Sequence, residues 1–148
     1  MSTRILKRIP CGSLKTPRKQ RPRRGVAAVE FAIVAPVFFL LIIGIVEIGR
    51  AMMVQQVLIN ASRVGARRAI TLSSTEQAVI DAVEEYAAGV GVDGVTVAVS
   101  PNPATAAAGA SITVDVEIGY NQVSWLPAPW FMGGKQLAAT SVMRKEGF

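Results

Sequence analysis

Polar and apolar positions divide this chain into stretches with different periods. From Phe31 to Val46, sixteen consecutive residues carry neither a charge nor an ordinary polar side chain, and Val26 to Gly49 is interrupted only by Glu30 and Glu47. A helix rises about 1.5 Å per residue, so roughly 20 residues cross a hydrocarbon core of about 30 Å. A helix also satisfies its own backbone hydrogen bonds in lipid. The pattern predicts a transmembrane helix over 26–49. Pro36 removes a backbone hydrogen bond and crowds the Ala32 carbonyl, so a kink or local loosening is expected there. Over 50–72 the period stays helical but becomes amphipathic: Val54, Val57, Leu58, Ala61 and Val64 recur at spacings of three and four. Gln55, Gln56, Asn60, Arg63 and Arg67 fall on other faces, so one helix is expected from Val26 to about Ile70. Glu47 and Arg50, three apart, are placed to pair at its outer boundary.

Beyond residue 72 the elements shorten. Ser73 followed by Glu76 fits a capping box opening a helix over 76–88, with Ala78, Val79, Ala82, Val83 and Tyr86 toward a core. Gly89, Gly91 and Gly94 end it. Val95 to Ser100 alternates as a strand that Pro101-Asn102-Pro103 stops, and the Ala-rich residues 104–110 read as a loose turn. Ile112, Val114, Val116 and Ile118 alternate with Thr113, Asp115 and Glu117, which predicts a half-buried strand with its acids toward solvent. Gln136 to Arg144 supplies a third strand. The fold class is α+β: a long N-terminal transmembrane and amphipathic helix, then a small head at 73–148 made of a helix and an antiparallel sheet. Between the last two strands, Val123 to Met132 is an apolar loop carrying Trp125 and Trp130. A lid on the core, a contact at the membrane interface and a contact between subunits are all open uses for it.

Charge changes the picture at the N-terminus. The net charge is +6, but residues 1–25 hold nine Lys/Arg and no acids, while residues 26–148 hold seven Lys/Arg and ten acids, so the two parts carry +9 and −3. Basicity belongs to a leader at 1–25, which is expected to be disordered, and no nucleic-acid surface is implied for the remainder. Cations before the apolar run and only Arg50 close behind it place the N-terminus in the cytoplasm and the head outside. The single cysteine, Cys11, lies in the leader and there is no histidine. Zinc sites and Ser-His-Asp or Cys-His catalysis are thereby excluded, and no phosphate-binding loop is present. Asp81, Glu84 and Glu85 read as a solvated helix face. No enzyme, metal or cofactor is expected.

Two residues give the apolar run a more particular meaning. Gly25 ends the basic block, and Glu30 follows five residues later inside the hydrophobic stretch, where an unpaired carboxylate is costly. Gly25 followed by Val26-Ala27-Ala28-Val29-Glu30-Phe31 resembles the processing site of type IV pilin-like precursors. With Ala35-Pro36, Glu47-Ile48-Gly49-Arg50, Gly65-Ala66-Arg67 and the closing Ser141 to Glu146 behind it, the chain resembles the TadE-like minor pilins, or pseudopilins, of tight-adherence (Tad or Flp) pilus systems. The resemblance implies a pilin-like fold and cleavage between Gly25 and Val26 by a prepilin peptidase. It also implies roles for Glu30 and Phe31 in assembly. The implied partners are that peptidase, other pilin-like subunits of the Tad system and the lipid bilayer. The implied location is the bacterial inner membrane, single-pass, with incorporation into a pilus. An uncleaved, signal-anchored envelope protein whose head binds an outside partner shares this topology, but it leaves Gly25 and Glu30 without a joint purpose.

Overall fold

The computed structural model describes residues 24–124 and 134–147. The basic leader and the Trp125–Trp130 loop lie outside the described residues. Contacts divide the chain into two units, Met1–Phe38 and Phe39–Phe148. In the first, the described part is the opening of helix α1, which runs in all from Arg24 to Ala69 and passes through Pro36 as helix.

The second unit holds the remainder of α1 and the head. Its sheet has three antiparallel strands in the order β1 (Thr96–Ser100), β2 (Ser111–Gly119), β3 (Gln136–Arg144). The register sets Val97 and Val99 opposite Val116 and Val114, and Ser141 and Ala139 opposite Val114 and Val116. A strand alternates its faces, so Ile112, Val114, Val116 and Ile118 all enter the core and are buried. Asp115 and Glu117 take the other face, half-exposed, where the Thr140 hydroxyl donates to Asp115 across the pair.

The amphipathic part of α1 and helix α2 (Glu76–Gly89) supply the other side of this core. From α1, Val54, Leu58, Ala61, Ser62, Ala66 and Ala69 are buried, while Val57 and Val64 are only half-buried. The contact is built from small residues toward the end of α1. A Cβ on Gly65 would stand 2.5 Å from Val83 Cγ2 and 3.1 Å from Val114 Cγ1, so α2 and β2 both lie against its backbone. Ser62 adds a polar contact, with its hydroxyl 2.8 Å from that of Ser141 on β3. Each fully buried Leu, Ile or Val contributes about 1.5–3 kcal/mol, and Leu58, Ile112, Val79 and Val83 are all fully buried.

Several local expectations change. The N-cap of α2 is Thr75, whose Oγ1 accepts from the Ala78 amide at 3.2 Å. Ser73 sits at φ +62 with its hydroxyl on the Leu72 carbonyl, so it cannot cap, and Glu76 accepts from Asn102 Nδ2 instead of reaching back. On α2 the buried residues are Val79, Val83 and Ala87, with Ala78, Ala82 and Tyr86 half-buried. A short helix, α3 (Tyr120–Val123), follows β2 where the sequence signalled none. The 104–110 stretch is tied down rather than loose. Lys145 Nζ donates to the carbonyls of Pro103 at 2.7 Å and Ala106 at 2.9 Å, and the Lys145 amide donates to Ala110 at 2.8 Å. These bonds, with the Glu146 amide on the Ile70 carbonyl at 3.4 Å, give the closing Ser141–Glu146 motif a physical purpose.

Candidate functional site

The apolar half of α1 is the part of the molecule that its own fold leaves bare. From Gly25 to Val46 every residue is exposed except Ala35 and Gly44, which are half-exposed, and Phe31 is 71% exposed. This is the one candidate membrane span among the described residues. Twenty-two residues at about 1.5 Å each give roughly 33 Å of helix, enough for the hydrocarbon core.

The residues singled out by sequence all lie on this bare helix. A Cβ on Gly25 would meet nothing within 4 Å. The fold therefore imposes no glycine there, in contrast to Gly65, and a requirement for glycine would have to come from outside the chain. Val26 is 61% exposed in the first turn. Glu30 is exposed beside Phe31 and has no hydrogen-bond or ion-pair partner among the described residues. A carboxylate so placed in lipid is costly unless something pairs with it. Pro36 lies on the same helix, exposed.

At the C-terminal end of the apolar stretch the head takes hold of α1, through residues that the sequence pattern did not bring together. Glu47 is half-exposed, with Oε1 enclosed and unpartnered. Facing it is Tyr120 of α3, only 3% exposed. One turn on, Arg50 Nε donates to the Val123 carbonyl. Gln55 Nε2 donates to the Ala138 carbonyl on β3 at 2.8 Å. Contacts between α1 and α3 thus begin at Glu47 and Arg50, at the end of the apolar run. No periodic signal links residues 73 positions apart, so the Arg50–Val123 bond was invisible before folding.

Burial first, then the negative charge of Glu47 and hydrogen bonding to it, raise the Tyr120 hydroxyl above its ordinary pKa. Folding favours the neutral hydroxyl, so its contribution is whole below about pH 10, the ordinary tyrosine value. It is lost as pH rises through the higher folded value. Above about pH 10, the thermal midpoint of the head should fall more steeply in the wild type than in Tyr120→Phe, which has no proton to lose. Parallel curves would remove Tyr120 from this linkage.

The geometry thus offers a bare apolar stretch of α1 that is a candidate membrane span, and a small α+β head. Residues 25–67 match the family model described as TadE-like protein. The matched segment runs from the candidate processing glycine, through the bare span, to the part of α1 that enters the head's core. No curated protein and no solved structure matches the chain. The match covers 43 of the chain's 148 residues, all of them on α1.

Proposed function

We propose that this chain is a prepilin-like minor pilin, or pseudopilin, of a tight-adherence pilus and secretion apparatus. The observation that carries this reading is that the TadE-like match begins at Gly25, in the first turn of α1, and runs through its bare apolar stretch. In the proposed sequence of events, the basic leader holds the N-terminus in the cytoplasm while α1 enters the inner membrane. A prepilin peptidase then hydrolyses the Gly25–Val26 peptide bond. Glycine suits this step because it has no side chain to hold the backbone away from the peptidase's catalytic groups. Cleavage frees an amine on Val26, and that amine pairs with Glu30 of a neighbouring subunit. Phe31, exposed beside Glu30, packs in the same contact. The proline at 36 gives the helix a deformable point for passage from bilayer to filament.

The test is the mature N-terminus, read by mass spectrometry of the membrane fraction with and without the host's prepilin peptidase. A peptide beginning at Val26 is expected in the wild-type host and should disappear when the peptidase is deleted. An intact leader in both hosts would instead establish the uncleaved, signal-anchored protein.

A further inference from the structure

Charge in the head is segregated along the sequence. Between Ile48 and Thr75 the charged residues are four arginines, at 50, 63, 67 and 68, with no acid. From Glu76 to Gly134 there are seven acids and no Lys or Arg. The fold turns this division into two facing-away stripes. Arg63 and Arg67 lie two residues before and after Gly65, and Asp81 and Glu85 lie two before and after Val83. At 100° per residue, a position two away points about 160° from its centre. Gly65 and Val83 are the residues at which α1 and α2 touch, since a Cβ on Gly65 would lie 2.5 Å from Val83 Cγ2. The cationic pair therefore leaves the contact on the far side of α1, and the acidic pair leaves it on the far side of α2, each pair centred on the residue that makes the contact.

All four side chains are exposed, and none has an ion-pair partner among the described residues. Asp81 takes a hydrogen bond from Gln77 Nε2 at 2.8 Å along its own helix, which leaves its charge unneutralised. Each stripe also sets two like charges one helical turn apart, an arrangement that disfavours its own helix. A partner of opposite sign relieves both.

We propose that the occupant of each stripe is a second copy of this chain, with Arg63 and Arg67 of one copy against Asp81 and Glu85 of the next. The two stripes occupy opposite sides of one subunit, so the contact is head-to-tail and propagates instead of closing as a two-fold pair. The charges set partner and register. The inference stands whether or not Gly25 is cleaved.

The experiment uses full-length protein in membranes. Two copies with different affinity tags are coexpressed, solubilised in mild detergent at low salt, captured by one tag and probed for the other. Wild-type copies should co-purify, and 1 M salt should weaken recovery as the screening length shrinks to about 3 Å. Arg63→Glu/Arg67→Glu paired with itself, and Asp81→Arg/Glu85→Arg paired with itself, should each lose about tenfold in recovery. Mixing the first variant with the second should restore it, because both stripes are then complementary again. Protease resistance of the head in each variant confirms folding. Wild-type copies that fail to co-purify would overturn the proposal, as would reversal variants that co-purify undiminished or mixed variants that do not recover. Association through the bare helix alone would produce the undiminished result.

Discussion

Replacing Gly65 with valine is expected to unfold the head while leaving the span able to enter the membrane. Gly65 is buried in α1, and the first carbon added to it would stand 2.5 Å from Val83 Cγ2 and 3.1 Å from Val114 Cγ1. Neither neighbour can swing into solvent, because Val83 and Val114 are both 0% exposed. Helix propensity works the other way, since glycine in a helix interior costs about 1 kcal/mol relative to alanine. The β-branched valine recovers only part of that and adds two further methyl groups where a single carbon already overlaps. Overpacking of this kind costs about 1–3 kcal/mol, and more when backbones must separate. Total stability is only about 5–15 kcal/mol. At about 4–8 °C per kcal/mol for a domain this small, the midpoint should drop by about 10 °C or more. Gly49→Val is the matched control, because a Cβ there meets nothing within 4 Å. The measurement is thermal denaturation of the full-length protein in detergent, followed by proteolysis of the head. Equal midpoints for the two variants would show that α1 and α2 do not approach as closely as described.

The second large effect is expected from Glu30→Ala, and it should fall on assembly. Glu30 is exposed on an apolar helix without a partner in its own chain among the described residues. Removing a lone carboxylate from lipid makes insertion easier, so membrane levels should be maintained or rise. In the assembled state proposed above, the same carboxylate meets the Val26 amine of a neighbour. Removing one member of a buried ion pair costs about 3–5 kcal/mol, because the other charge is left uncompensated. Pilus number should therefore fall at least about tenfold, while the Val26 N-terminus still appears in the membrane fraction. Wild-type pilus production by Glu30→Ala would remove this role. Loss of the Val26 terminus would place Glu30 in processing instead.

The two residues teach opposite lessons about glycine and charge in this chain. Gly25 and Glu30 stand out in the sequence by their setting, a glycine closing a basic block and an acid in an apolar run. Among the described residues neither serves packing. Gly65 interrupts a helical pattern, yet nothing in the sequence shows whether it answers to an outside partner or to the fold. Its neighbours Val83 and Val114 settle that.

By itself, the sequence determined the elements whose period is long or strict. The apolar run of α1, its amphipathic continuation through Val54, Leu58 and Ala61, the alternation of β2 and the span of β3 all follow from local spacing. The order of a helix and three strands also followed, and with it the α+β class. What tertiary structure decided were matters in which distant residues compete. Ser73 and Thr75 are both capping residues, and the chain's turn into α2 gives Ser73 a left-handed φ, so Thr75 takes the cap. Ala87 joins the core as a fully buried residue, while Tyr86 packs against the core half-buried. The attachment of α3 to α1 depends on Tyr120 and Val123 reaching Glu47 and Arg50 across the fold, and the opposed charge stripes depend on Gly65 meeting Val83. Spacing along a chain records which face a residue occupies. Which other face it meets is set only when loops have closed and the core has packed.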